Sequence, residues 1–344
     1  MNLRWFFWNA SEKRLRATWR IVAQALLFAF GMALCLVTLF LSLALMFGLF
    51  TCQGDGIFPQ GIVYTQLNAF MDSVPFQFLI IPLFSLLNMV WSTRFAARFI
   101  DKREIKTLGL NFGSLWWRDL GFGLILGVGM ILVVFLALLV MGFVQVEDVF
   151  KAPVGGGSFW WVMFQLLVGM LCVGVYEEML TRGYQLINLV ESLHIRNSDR
   201  RWALAGASLL TSLLFGLLHF SNPNAGLLSI LIMIVVGLFL SLSVILTGEL
   251  GLAIGFHIAW NFTQGGVIGL PVSGLRMPAS VFSVLVDGPI WVAGGAFGPE
   301  AGILSLCAMG LGVLGLLWWF KHTRAKRSSL NWFSESEVDQ KPTI

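Results

Sequence analysis

Eight stretches of this chain are each long and apolar enough to cross a lipid bilayer: 21–50, 74–93, 119–145, 159–190, 202–220, 225–247, 250–268 and 302–320. The hydrocarbon core takes about 20 apolar residues per helix. The chain is therefore expected to be all-α, a polytopic membrane bundle of about eight helices. Composition agrees. Of 344 residues 57% are hydrophobic and only 12% charged, about half the charge of an ordinary soluble protein. That excludes a water-soluble globular enzyme. With 30 Phe and 14 Trp, disorder in water is excluded as well. The first run is too long for the apolar part of a signal peptide and is expected to be a retained anchor.

Lysine and arginine set the orientation. Nineteen of the 22 basic residues fall in four segments: residues 4–20, the connection 94–118, the connection 196–201, and the tail from Lys321. The opposite connections hold only Lys151 and Arg276, and Arg182 lies within a run. Such alternation predicts eight crossings with both termini cytoplasmic. Residues 1–20, with Trp5-Phe6-Phe7-Trp8 ahead of Lys13–Arg20, read as an amphipathic interfacial helix. Residues 21–320 form one membrane domain with its motif core at 159–268, and 321–344 a cytoplasmic tail. The basic segments then contact lipid headgroups, and no nucleic acid partner is expected. Cys35, Cys52, Cys172 and Cys307 lie far apart and offer neither a disulfide framework nor metal-ligand spacing.

Ionisable groups inside the runs are costly there and mark function by default. The fourth run carries Glu177, Glu178 and Arg182. Glu178 and Arg182 are spaced i,i+4, so they share a helix face and neutralise each other. Glu177 points about 100° away and finds no such partner on its own helix, which suits a general base. The fifth run ends in Phe215-Gly216-Leu217-Leu218-His219, and the seventh contains His257-Ile258-Ala259-Trp260-Asn261. His257 and Asn261 share a face and offer donors for an oxyanion; Phe215 reads as packing. The other two histidines, His194 and His322, lie in polar segments. Two imidazoles and a carboxylate can activate water by holding zinc through His219 and His257, or directly. The spacing leaves both routes open, although no HExxH element is present.

Glu177-Glu178-x-x-x-Arg182, Phe215-x-x-x-His219 and His257-x-x-x-Asn261, in that order, resemble the CAAX protease and bacteriocin-processing (CPBP, or Abi) family of intramembrane proteases. The stretch Gly294-Gly295-Ala296-Phe297-Gly298-Pro299-Glu300 also resembles a segment of bacterial members. The resemblance implies peptide hydrolysis, with Glu177 as base, His219 as its partner on the water, and His257 with Asn261 on the oxyanion. Glu178 and Arg182 would support the site. The expected protein is an intramembrane endopeptidase of a bacterial cytoplasmic membrane, acting on a membrane-embedded or membrane-anchored polypeptide. Two other classes compete: a non-enzymatic immunity or scaffold protein of the same fold, and a small proton-coupled transporter. Intact Glu177, His219 and His257 weigh against the first; the lack of paired halves weighs against the second.

Overall fold

Helices form over the apolar runs because a helix satisfies its own backbone where water is absent. The computed structural model describes residues 6–10, 12–51, 65, 68–151, 153, 156–194 and 199–324. Its long helices are α1 (Ala17–Thr51), α2 (Phe76–Asp101), α3 (Ser114–Val140), α4 (Phe159–Leu193), α5 (Arg200–Leu218) and α6 (Leu227–Thr247). After them come α7 (Gly251–Phe262), the four-residue α8 (Ile290–Ala293) and α9 (Ile303–Arg324). Among the described residues seven helices are long and apolar enough to cross a membrane: α1 to α6 and α9. The protein is a multi-pass helical membrane bundle.

The run at 250–268 departs from the expected set of like helices. Only 12 of its residues are α-helical, roughly 18 Å at 1.5 Å each, and the chain continues as a wider π-turn over Thr263–Ile268. Every residue from Gly251 to Trp260 is buried, so α7 runs through protein rather than along lipid. Glycine makes the enclosure possible. The α-carbons of Gly251 and Gly255 lie against the α3 backbone at Trp116 and Leu120, and Gly123 and Gly127 of α3 lie against α7 at Leu252 and Phe256. Small residues let helix backbones approach closely, and in lipid such packing drives association. The paired positions rise together along both helices. α3 and α7 are therefore parallel.

Other boundaries moved for local reasons. α3 stops at Val140, ahead of Gly142 at φ 72°. The following Val144–Lys151 is a strand, β3, paired antiparallel with β4 (Ser280–Val286). α2 runs on past residue 93 to Asp101, with the Arg98 guanidinium 5.7 Å from the centre of the Phe99 ring. Asp199 caps α5 by accepting from the Arg201 N–H at 2.9 Å. The N-terminal segment is not the expected amphipathic helix: β1 (Trp8–Asn9) pairs with β2 (Arg14–Leu15), and α1 begins only at Ala17. The remainder of residues 1–5 and the tail from residue 325 lie outside the described residues.

Two of the basic segments meet at one end of the bundle. Arg20 and Arg103 both hold the Glu191 carboxylate, at 2.7 and 2.5 Å, and Arg14 donates to the Asp101 carbonyl at 3.0 Å. Tyr184 and Asn188 donate to the Asp101 carboxylate at 2.8 and 3.3 Å. This network ties the starts of α1 and the ends of α2 and α4 together, while the β3–β4 ribbon occupies the opposite end.

Candidate active site

A cavity of about 250 Å³ opens where α4, α5, α6 and α7 converge. Its walls are mainly apolar, from Phe78, Leu166, Met170, Val236 and Trp260 among others. Polar atoms enter it from Glu177 on α4, His219 at the end of α5, His257 and Asn261 on α7, and Glu300 in the connection before α9. Glu177, His219, His257 and Asn261, distant along the chain, are thus brought to one cavity. A few convergent polar groups in an apolar cavity is the usual form of a small binding site.

Behind the cavity wall lies a buried charge cluster. The side chains of Glu178 and Arg182 are fully inaccessible and meet at 3.1 Å. Arg182 also donates to Thr181 Oγ1 at 2.7 Å and to the Gly237 carbonyl at 3.2 Å, which pins α4 to α6. Its guanidinium sits 4.3 Å from the centre of the Phe215 ring. Glu178 does not line the cavity. Its Oε1 instead accepts from His257 Nδ1–H at 2.9 Å, since an ionised carboxylate can only accept. That bond aims His257 Nε2 outward, 3.8 Å from Glu177 Oε2. Glu177 Oε2 is buried and makes no hydrogen bond among the described residues, while Oε1 accepts from the Tyr176 hydroxyl at 3.4 Å. A π-turn over Met179–Gln185 follows immediately; such bulges recur at functional sites.

His219 is fixed differently. Its ring nitrogen Nδ1 lies 2.7 Å from the Phe215 carbonyl, which only accepts, so Nδ1 carries a proton and Nε2 is the nitrogen left to face the cavity. Phe215 packs between the two imidazoles, with ring centres 4.8 Å from His219 and 6.2 Å from His257.

The geometry adds residues that motif spacing did not single out. The partner that Glu177 lacks on its own helix is His257, across from it on α7. Tyr176, adjacent to Glu177, faces the same cavity. Glu300 is buried beside it, with Ser273 and Gln264 as hydrogen-bond partners. Burial pushes the Glu300 carboxyl above its ordinary range, against those hydrogen bonds.

Residues 159–263 match the model of the type II CAAX prenyl endopeptidase Rce1-like family. The similarity to that protease family covers less than half of the chain. The match encloses Glu177, Glu178, Arg182, Phe215, His219, His257 and Asn261, the residues that gather at and behind the cavity; Glu300 lies beyond it. Comparison with curated proteins and with solved structures returned no match.

Zinc through His219 and His257 was one of the open routes. A catalytic zinc takes three protein ligands, and among the described residues no group of three His, Cys, Asp or Glu side chains is gathered to hold a metal. The donor set does not fit a zinc centre, and no step below passes through one.

Proposed function

We propose that the protein is an intramembrane endopeptidase that hydrolyses a membrane-associated polypeptide with water activated directly by protein side chains. The observation that carries this reading is the pairing of an unbonded Glu177 oxygen with His257 Nε2 at 3.8 Å in a cavity that His219 and Asn261 share. A water between Glu177 and His219 gives one proton to the Glu177 carboxylate and directs the other at His219 Nε2. Its oxygen attacks the scissile carbonyl carbon. The oxyanion is met by Asn261 Nδ2–H and by His257 Nε2–H when the ring is protonated at both nitrogens. Glu177 returns its proton to the departing amine, and the C–N bond breaks. Glu178 and Arg182 take no part in bond making; they hold His257 in register.

The apolar walls fit an aliphatic or lipid-modified chain segment, and membrane residence delivers it. The distribution of basic residues supports a cytoplasmic Arg20–Arg103 end, and the bacterial cytoplasmic membrane is the setting we propose. The test uses purified protein in nanodiscs with a farnesylated peptide ending in a CAAX sequence, run in H₂¹⁸O. Direct attack by water puts one ¹⁸O into the new carboxyl terminus and none into the enzyme. Label on Glu177 after a single turnover would instead require a covalent acyl-enzyme and overturn the mechanism.

A further inference from the structure

Glu300 stands outside the segment that matches the protease family, yet it is 3% exposed and borders the cavity. Both of its oxygens are engaged. Oε1 accepts from the Ser273 backbone N–H at 2.7 Å and from its hydroxyl at 2.6 Å, and Oε2 accepts from Gln264 Nε2. Each partner leads to a motif. Gln264 lies three residues after Asn261, on the π-turn that continues α7. The Ser273 carbonyl accepts from Asn222 Nδ2 at 3.1 Å, and the Asn222 N–H bonds the His219 carbonyl at 3.1 Å. One carboxylate thus joins the turn that carries His219 to the helix that carries His257 and Asn261.

Local backbone conformation is spent on this arrangement. Ser273 sits at φ 46°, a left-handed conformation that a non-glycine residue holds only when its surroundings impose it. Gly298 sits at φ 117°, and a Cβ there would run into the Pro271 carbonyl and come within 3.2 Å of Gln264 Nε2. The glycines of Gly294–Gly298 therefore let the turn press Glu300 between the two partners. Ser305 Oγ in turn donates to the Pro299 carbonyl at 2.6 Å and fixes the turn to α9.

We infer that Glu300 is a positioning residue: through Ser273–Asn222 and Gln264 it sets His219 relative to His257 and Asn261. The inference deepens the hydrolase reading and rests on it only for its effect on turnover. Misplacement of reacting groups by about 1 Å costs on the order of 10²-fold. Glu300→Ala should therefore lower kcat on the farnesylated peptide by roughly 10- to 100-fold with KM little changed. Glu300→Gln, which keeps an acceptor for Ser273, should recover much of the rate.

The decisive readout needs no substrate. The chain has four histidines, so ¹⁵N-histidine spectra of the full-length protein in detergent can be assigned by single His→Gln variants. Glu300→Ala should move the His219 signals and leave His194 and His322 in place, and Glu300→Gln should move them back. Should Glu300→Ala fail to fold, Ser273→Ala removes one hydroxyl from the same carboxylate and should shift His219 in the same direction. Unchanged His219 signals in the folded variant would overturn the inference. A His219 shift in a protein whose wild type cleaves nothing would leave the clamp standing and sink the hydrolase reading instead.

Discussion

Replacing Arg182 by alanine should destabilise the protein by roughly 3–5 kcal/mol, the cost of breaking a buried ion pair. The structure supports the upper part of the ordinary mutational range. Both Arg182 and Glu178 are inaccessible to solvent, so screening gives no relief. The change also removes the bonds to Thr181 and the Gly237 carbonyl and the contact with the Phe215 ring. His257 still donates to Glu178, which keeps the loss within that range. Equilibrium unfolding in mixed detergent micelles reads the difference. The companion variant Glu178→Gln/Arg182→Met leaves no buried charge unpaired and should recover most of the stability while activity stays low, because His257 has lost its anchoring carboxylate. A loss below about 1 kcal/mol for Arg182→Ala would refute the reasoning, since it would put this pair among exposed ones.

Further outcomes follow from the same geometry. Asn261→Ala should slow turnover by roughly 10²–10³-fold, the worth of one oxyanion donor, with KM preserved; a steady-state kinetic comparison measures it. Chelation by 1,10-phenanthroline should leave the cleavage rate unchanged and elemental analysis should find far less than one zinc per chain, whereas stoichiometric zinc lost in His219→Ala would contradict the donor-set reading. Reporter fusions after Arg98 and Arg201 should read cytoplasmic and those at Asn222 and Gly288 external; an inverted reporter at Gly288 would break the alternation read from the basic residues.

Helices were legible wherever an apolar run faced lipid on one side, as in α3 and α6. Residues 250–268 read as another such run, but its Gly251 and Gly255 mark a helix enclosed by others, and the burial of both faces is invisible to hydropathy. Only the first two residues of the strand Val144–Lys151 fell within the run at 119–145, where Phe143 and Val144 carry the apolar signal past Gly142. The N-terminal hairpin was misread because Trp and Phe beside Lys and Arg also suit an interfacial helix. At the site, i,i+4 spacing correctly joined Glu178 to Arg182. Spacing on one helix could not show that Glu178 orients His257, 79 positions away. Glu300 was quoted within its glycine-rich stretch without a role, since its partners lie 27 and 36 residues earlier. The signal available for it was a glutamate directly after Gly-Pro in a segment otherwise apolar.

The central claim is that Glu177 activates the water, and the rate of peptide-bond cleavage by Glu177→Gln tests it most directly. The amide keeps the shape and the Tyr176 contact but cannot take a proton, so with folding intact the rate should fall by roughly 10²–10⁴-fold, the contribution of a general base. Cleavage by folded Glu177→Gln at near wild-type rate would contradict the account.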